Sequence, residues 1–126
     1  MKNTLTIAAI SGMLAVILGA FGAHILKGMI SHEMLEVYKT GIQYHFYHTF
    51  ALLAVGILMY FNSSKALKWS ADLFTTGIIL FSGSLYVMAI TGIKLVGIIT
   101  PFGGVLWIIA WILLAVHFTK SLPPKK

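Results

Sequence analysis

The side chains best suited to chemistry are concentrated in one stretch, Tyr38-Lys39-Thr40-Gly41-Ile42-Gln43-Tyr44-His45-Phe46-Tyr47-His48. It holds two of the five histidines and three of the five tyrosines of the chain. An imidazole can bind a metal, exchange hydrogen bonds or carry a proton near neutral pH, so the stretch could serve any of these purposes. At about 3.6 residues per turn, Tyr38, Gly41, His45 and His48 share one stripe of a helix. The spacing predicts a polar stripe that faces a partner helix.

The composition predicts that this stripe belongs to a membrane protein. The chain has 126 residues, of which 59% are hydrophobic and only 10% are charged, and its mean hydropathy is +0.93. In a soluble domain about a quarter of the residues are charged. Four apolar stretches, each long enough to cross a hydrocarbon core of about 30 Å, cover residues 5–26, 42–61, 73–93 and 95–118. We therefore predict an all-α fold, an integral-membrane four-helix bundle that forms one domain over residues 1–126.

The lysines predict how the helices are oriented. The formal net charge of +6 comes from lysines that lie between the apolar stretches or near the chain ends, a placement that indicates topology and not nucleic-acid binding. If four helices alternate in direction, one side of the membrane receives Lys2, Lys65, Lys68, Lys120, Lys125 and Lys126, and the other receives Lys27, Lys39 and Lys94. This bias predicts a multi-pass protein with both termini in the cytoplasm.

A cleaved signal peptide is the competing interpretation of the first apolar stretch. Lys2 precedes an apolar run that reaches the small residues of segment 19–23, where a signal peptidase could cut. The run is longer than the roughly 7–15 apolar residues of such peptides, which favours a retained helix.

The segment before the second apolar stretch predicts a short amphipathic helix. Ser31 is a suitable N-cap, and Glu33 would lie in the first turn, where the helix dipole favours a negative charge. The apolar residues that follow would form one face of this helix at the outer interface: Met34, Leu35, Val37 and Tyr38. We expect the helix to lead directly into the second membrane-spanning helix.

Several residues near the ends of the apolar stretches are predicted to contact the lipid headgroups. Tyr44 and Tyr47 are expected to be interfacial anchors, as tyrosines at this depth usually are. The connection over residues 62–72 is predicted to be a short basic loop, with Trp69 at interface depth. His117, close to Lys120, is expected to meet headgroups at the inner end of the last helix.

Small residues predict where the helices approach one another. The positions selected on this basis are Gly12, Gly19, Gly22, Gly41, Gly83, Gly103 and Gly104. Pro101 lacks a backbone donor and is predicted to start or kink the last helix. In the first helix the four-residue spacing of Ala8 with Gly12, and of Ala15 with Gly19, favours packing inside the bundle. A homo-oligomer joined through the same face, as in an assembly subunit, is the alternative.

The polar stripe is expected to meet other polar groups at the outer end of the bundle. If the first two helices are antiparallel neighbours, His24 comes close to His45 and His48. The candidate ligand-binding residues are His24, Tyr38, Gln43, Tyr44, His45, His48, Ser82, Ser84, Tyr86 and Thr100. Polar groups at this depth need partners or water. We predict a non-enzymatic protein whose cluster binds a small polar ligand or an ion, or ties the helices together by hydrogen bonds.

Two other functions compete with this interpretation. His24, His45 and His48 could hold a metal ion or a haem in a membrane enzyme or redox protein, since histidines three residues apart on a helix can chelate. The apolar stretches contain no Asp, Glu or Cys to complete such a site, so the prediction is that no cofactor is bound. A solute or proton pathway is an intermediate possibility, between a hydrogen-bonded cluster and a metal or haem site, because membrane-embedded ionisable groups are often functional.

Four motifs carry a resemblance to a known family. They are Gly19-Ala20-Phe21-Gly22-Ala23-His24, then Tyr38 through Gly41 to Tyr44-His45 and His48, then Ser82-Gly83-Ser84-Leu85-Tyr86, and finally Thr100-Pro101-Phe102-Gly103-Gly104. With these motifs in this order, nearly the whole chain resembles the small bacterial membrane proteins of the DUF423 family. This family is also called UPF0382 and is related to the eukaryotic transmembrane protein 256 group. The resemblance implies a four-helix plasma-membrane protein and carries no catalytic role over to these residues.

Overall fold

The chain folds into helices joined by short turns, in a computed structural model that describes residues 2–121. The helices are α1 (Lys2–Phe21), α2 (His32–Phe61), α3 (Lys65–Gly77), α4 (Gly83–Thr91) and α5 (Thr100–Ser121). A π-helical segment, Gly22–Leu26, extends α1, and a second one, Ile78–Ser82, joins α3 to α4. A 3-10 helix, Lys94–Ile98, leads into α5. The topological prediction for Lys125 and Lys126 falls outside the described residues.

Four helical spans are long and apolar enough to cross a membrane. They are span 1 (Lys2–Leu26), span 2 (His32–Phe61), span 3 (Lys65–Thr91) and span 4 (Lys94–Ser121). The prediction of an all-α protein with four membrane-crossing helices is therefore confirmed. Spans 2 and 3 begin earlier than expected, because backbone hydrogen bonding continues through charged and amphipathic turns that a hydropathy pattern leaves out. The expected interfacial helix is accordingly no separate element, and residues 32–41 form the first turns of α2.

Capping serines explain where α2 and α3, the two helices that start earlier than predicted, begin. Ser31 Oγ accepts a hydrogen bond from the backbone N–H of Met34 at 3.1 Å, which confirms the predicted N-cap. Ser64 Oγ accepts from the backbone N–H of Leu67 at 3.2 Å and caps α3 in the same way. The predicted loop over residues 62–72 is therefore mostly helix. Pro101 lies in the first turn of α5, where its missing N–H costs nothing, and so it starts the helix.

Each span packs on its neighbour in the chain, and neighbouring spans are antiparallel. Within residues 2–121, α1 packs on α2, α2 on span 3, and span 3 on α5, while no comparable packing joins α1 to span 3 or to α5. An apolar core near the Lys65 end contains Leu52, Val55, Leu67 and Phe74, each fully buried. Since α1 and span 3 both rest on α2 but not on each other, a groove is left between them.

Close approaches between helices occur at several of the predicted glycines. A Cβ at Gly41 would lie 2.8 Å from Tyr86 Cε1, one at Gly103 would lie 2.5 Å from the backbone nitrogen of Phe81, and one at Gly22 would overlap the ring of Tyr38. Larger residues would force the helices apart at these points. The other predicted positions are less crowded: Gly12, Gly19 and Gly104 have ordinary contacts of 3.6–3.8 Å, and Gly83 has no atom within 4 Å of such a Cβ. Gly83 therefore differs from the packing expectation, because it faces open space.

The small-residue face of α1 is covered inside the molecule. Ala8 and Ala15 are 2% and 0% exposed, and Gly12 lies over the side chain of Thr49 in α2. A second copy of the chain cannot use this face while α2 occupies it.

Candidate functional site

Four polar side chains form a connected group, here called the His45 cluster, made of Ser11, His45, Thr49 and Tyr86. The hydroxyl of Tyr86 lies 2.8 Å from His45 Nδ1, and the hydroxyl of Ser11 lies 3.0 Å from His45 Nε2. Ser11 Oγ is also 2.6 Å from Thr49 Oγ1. The cluster connects spans 1, 2 and 3 through side-chain hydrogen bonds alone.

Local sequence explains how the cluster is assembled. His45 and Thr49 are one helical turn apart on the buried face of α2, and Ser11 continues the small-residue face of α1 that packs on it. Tyr86 reaches His45 because Gly41 leaves room for its ring. Tyr38 supports that ring with a centroid separation of 5.1 Å, and its hydroxyl donates to the backbone oxygen of Leu18 in α1.

His45 and Ser11 lie near the middle of their spans, whereas His45 was expected at the outer end of the bundle. Tyr86 reaches His45 from the half of span 3 that ends at Thr91. His45 is close to the midpoint of α2, which runs from His32 to Phe61, and Ser11 is similarly central in span 1. The difference arises because α2 begins at His32, so His45 is several turns into the helix. Polar groups at this depth are costly unless they are paired or serve a function.

A groove of about 340 Å³ reaches the cluster on the face where α1 and span 3 separate. Its walls are mostly aliphatic, and its floor carries three members of the His45 cluster. The lining residues are Ile7, Ile10, Ser11, Leu14, Leu18, His45, Leu52, Thr75, Ile78, Ile79, Gly83 and Tyr86. Wall residues such as Ile10 and Ile79 are 49% and 65% exposed, so the groove is open to the lipid that surrounds the protein. None of the lining residues is charged.

The three histidines expected to form a metal site do not come together. His24 is exposed on the π-helical segment that ends span 1, while His45 is held by Ser11 and Tyr86. Among the residues that the structure describes, no three His, Cys, Asp or Glu side chains are placed to hold a metal ion. The structure thus does not bring His24, His45 and His48 together, because neighbouring helices hold the two histidines of α2 in separate environments.

His48 is part of a separate aromatic group, where α2 meets α5. Its Nδ1–H donates to the backbone oxygen of Tyr44 at 2.8 Å, so its Nε2 is the acceptor for the indole N–H of Trp111 at 3.3 Å. Its ring stacks on Trp107. Both ring nitrogens and one ring face are thus occupied, which indicates a packing role. A second groove of about 370 Å³, between α2 and α5, lies beside this group.

The remaining candidate residues join helices or face outward. Ser82 donates to the backbone oxygen of Gly41 at 2.7 Å, and Ser84 bonds with Thr100 at 2.6 Å, which connects span 3 to α2 and to α5. Gln43 and Tyr47 are exposed and bond to each other. Tyr44 is 39% exposed and packs against Phe81, with ring centroids 5.1 Å apart. Of the predicted binding residues, only His45 and Tyr86 line the groove.

Two cluster members and one buried histidine were missed from the sequence. Ser11 is a polar residue in phase with Ala8 and Ala15 on the small-residue face of α1, and this phase was the available signal. Thr49 follows His45 by one turn, which was the second signal. His117 is not at the headgroups as expected: it is 5% exposed and lies 3.0 Å from Ser64 Oγ. The early start of α3 at its Ser64 cap brings this hydroxyl to the ring.

Comparison with known proteins adds the evolutionary context. The family model described as "Protein of unknown function (DUF423)" matches residues 18–104. The UPF0382 membrane protein YwdK of Bacillus subtilis is 45% identical over 123 residues, covering 97% of this chain and 100% of that protein. A UPF0382 membrane protein of Haemophilus influenzae is 43% identical over 122 residues, with 96% and 98% covered. The UPF0382 inner membrane protein YgdD of Escherichia coli is 39% identical over 112 residues, with 89% and 86% covered. No solved structure matches the chain.

Proposed function

We propose that this chain, which belongs to the DUF423 family of UPF0382 membrane proteins, binds a small amphiphilic molecule from the bilayer. The binding site is the groove between α1 and span 3, and the polar group of the ligand meets the His45 cluster. One observation carries the proposal: a hydrogen-bonded polar cluster lies at the floor of an apolar groove, in the middle of the spans.

Access to the cluster from the groove favours binding over a purely structural role. Ser11 and His45 are mostly covered by helices, at 8% and 4% exposed, but both reach the lining of an open groove. The partly exposed Tyr86 lines the same groove. Sites for small molecules are typically concave and mostly apolar, with volumes of about 300–1,000 Å³ and a few polar groups that orient the ligand. The groove fits this description.

The depth of the cluster favours binding over proton conduction. A pathway across the membrane would need polar groups beyond Thr49, on the way to the Lys65 end. The buried face of α2 continues there with Leu52 and Val55, both 0% exposed and packed in the apolar core. The chain of hydrogen bonds therefore ends at Thr49, in the interior of the protein.

We extend the proposal to topology, with both termini in the cytoplasm of a bacterial cell. Lys2, Lys65, Lys68 and Lys120 lie at one end of the spans, and the acidic residues Glu33 and Glu36 lie at the other. Positive charge is enriched on the cytoplasmic side of membrane proteins. The chain has no cysteine, so a single Cys placed at residue 68 or residue 33 can be labelled without background. In intact cells an impermeant maleimide should label Glu33→Cys and not Lys68→Cys, and the reverse pattern would invert the topology.

Photo-crosslinking tests the binding proposal. The probe is a long-chain alcohol with a diazirine in its alkyl chain, offered to the full protein in lipid nanodiscs. Saturable labelling is expected on the wall peptides that contain Ile10 and Ile79. Gly83→Leu should reduce it severalfold, because a Cβ at Gly83 points into open space and a larger side chain there would fill the groove.

The matched control is Val87→Leu, which adds volume on the same span at a 47% exposed position that does not line the groove. This variant should be labelled like the wild type. Labelling that is uniform over the lipid-facing surface, does not saturate and ignores Gly83→Leu would contradict the proposal.

A further inference from the structure

We infer that the groove selects a neutral ligand whose polar group accepts a hydrogen bond, as a carbonyl does, because the hydrogen bonds of the His45 cluster leave one donor pointing to the groove at Tyr86. The inference rests on the proposed function and specifies the class of molecule that the groove takes. Its basis is the number and direction of the hydrogen bonds in the cluster.

The cluster contains one more hydrogen than it has internal bonds. Each hydroxyl of Ser11, Thr49 and Tyr86 carries one hydrogen, and the neutral imidazole of His45 carries another. Within residues 2–121 no carboxylate contacts the cluster to favour a charged imidazole, and the site is buried among apolar residues. The bonds are those of Tyr86 with His45, His45 with Ser11, and Ser11 with Thr49. One hydrogen must therefore remain unused, on Thr49, Ser11 or Tyr86.

Three arrangements of the hydrogens are possible, because a hydroxyl oxygen can accept two hydrogen bonds. If Tyr86 donates to His45 and Nε2–H donates to Ser11, the unused hydrogen lies on Thr49 when Ser11 donates to Thr49, and on Ser11 when Thr49 donates to Ser11. If Thr49 donates to Ser11 and Ser11 donates to Nε2, Nδ1–H donates to Tyr86 and the unused hydrogen lies on Tyr86. The choice depends on which group has another acceptor.

Thr49 lacks a suitable acceptor for an unused hydrogen. Other helical threonines donate to the carbonyl oxygen four residues earlier: Thr40, Thr75, Thr76 and Thr91. Among the residues that the structure describes, Thr49 forms no such bond, and its side chain is 5% exposed. A buried donor without an acceptor is unfavourable. Ser11 is also buried, at 8% exposed, and within the described residues it bonds only to His45 and Thr49. The arrangement in which Thr49 donates to Ser11 and Ser11 donates to His45 is therefore preferred, and Tyr86 keeps its hydrogen.

Tyr86 is the member of the cluster that can use the hydrogen. It is partly exposed and lines the groove. In the part of the chain that the structure describes, its hydroxyl has one hydrogen-bond partner, His45, and the hydrogen of Ser82 is donated to the backbone oxygen of Gly41. A carbonyl on a bound molecule would accept the hydrogen of Tyr86.

The lining of the groove decides the charge of the ligand. Its residues include no Lys, Arg, Asp or Glu, so neither an anionic nor a cationic head group would find a partner of opposite charge. A charged group at this depth without a partner is costly. The chemistry of the site therefore fits lipid-soluble ketones, esters and quinones, and disfavours fatty-acid anions and alkylammonium ions.

Competition among head groups tests the inference. The competitors share one carbon count and differ in polar group: methyl decyl ketone, dodecane, laurate and dodecylammonium. Each competes with the diazirine alcohol for labelling of the full protein in nanodiscs. The ketone should compete at about tenfold lower concentration than dodecane, the ratio expected from one hydrogen bond. Laurate and dodecylammonium should be no better than dodecane.

Tyr86→Phe should bring the ketone close to dodecane in potency, whereas Tyr44→Phe, at the other groove, should leave the ketone preference unchanged. The carbonyl stretch of bound ¹³C-labelled ketone gives a second readout that does not depend on stability. It should be shifted to lower frequency in the wild type and should return toward its position in hexane in Tyr86→Phe.

The outcomes separate the two proposals. If no competitor reduces labelling, the groove does not bind such molecules, and the proposed function fails together with this inference. If all four compete equally, the groove binds but the donor at Tyr86 does not select, and only the inference is overturned. A preference for laurate or dodecylammonium, or an unshifted carbonyl stretch in the wild type, would overturn it as well.

Discussion

The imidazole of His48 lies flat against the indole of Trp107, with ring centroids 3.6 Å apart and ring planes 2° apart. Within the described residues α5 packs chiefly on span 3, so this pair is a side-chain bridge from α2 to α5 across the intervening span. Trp107 is also held by α3, because its indole N–H donates to the backbone oxygen of Phe74 at 3.2 Å. The bridge is thus built from two side chains that are each held by other groups.

The stacked pair should show energetic coupling. Aromatic pairs contribute about 0.5–1.5 kcal/mol beyond the area they bury, so His48→Ala and Trp107→Leu together should destabilise less than the sum of the two single changes. The free energy of unfolding, measured by SDS titration in mixed micelles, tests this. Trp69 is 61% exposed and supplies the control, since Trp69→Leu should be additive with His48→Ala. Equal coupling energies for His48 with Trp107 and for His48 with Trp69 would exclude a specific role for the stacked pair.

Two adjacent glycines of α5 should respond in opposite ways to alanine. Gly103→Ala places a Cβ 2.5 Å from the backbone nitrogen of Phe81, which cannot move without shifting span 3, so a loss of about 1–3 kcal/mol is expected. Gly104→Ala places its Cβ 3.8 Å from the ring of Phe81, an ordinary contact. Alanine is the better helix former, so this variant should be unchanged or up to about 1 kcal/mol more stable. Thermal unfolding of both variants in the same detergent tests this prediction. Similar losses of stability in both would contradict the close approach at Gly103.

The bond between Ser11 and Thr49 should hold α1 against α2. Ser11→Ala removes one partner of a buried bond and weakens the support of His45, so it should cost about 1–3 kcal/mol. Thr49→Val keeps the shape and removes the other hydroxyl. The double variant lacks both hydroxyls, so neither is left without its partner. Its loss of stability should therefore be clearly smaller than the sum of the two single losses. Strict additivity in the unfolding free energies would show that the bond contributes nothing.

The two capping serines should differ in importance. Ser31→Ala removes an exposed cap and should cost about 1 kcal/mol. Ser64→Ala removes a cap and also the 3.0 Å bond to the buried ring of His117, so it should cost roughly 1 kcal/mol more. In a His117→Ala background the two serine changes should become similar. If Ser64→Ala is no worse than Ser31→Ala in the original protein, the bond to His117 has no energetic value.

The hydropathy of the chain was sufficient to predict four helical spans, because a helix in lipid must satisfy its own backbone and cover itself with apolar side chains. It was insufficient for the start of α2 and α3. Both helices begin in polar, amphipathic segments, at His32 and Lys65, where the helix is stabilised by a capping serine and by packing. Because of this earlier start, His45 lies near the midpoint of α2 and not near its beginning.

The helical stripe of α2 was predictable as well. His45, His48, Leu52 and Val55 are all buried on the face that the spacing indicated, since the period of a helix is fixed by its backbone geometry. The partners of that face were not predictable. The sequence grouped His45 and His48 with His24, yet the structure pairs His45 with Ser11 and Tyr86 and stacks His48 on Trp107.

The sequence by itself determined the membrane class, the number of spans, the family and the residues of the buried stripe, because these follow from composition, backbone periodicity and motif order. Only the tertiary structure decided which polar side chains meet. The rotation of each helix about its own axis determines these contacts. This rotation depends on close approaches such as Gly41 to Tyr86 and Gly103 to Phe81. Those approaches bring Ser11, His45 and Tyr86 to the floor of one groove and leave His24 outside it. They depend on side-chain shapes from several helices at once, which no single stretch of sequence encodes.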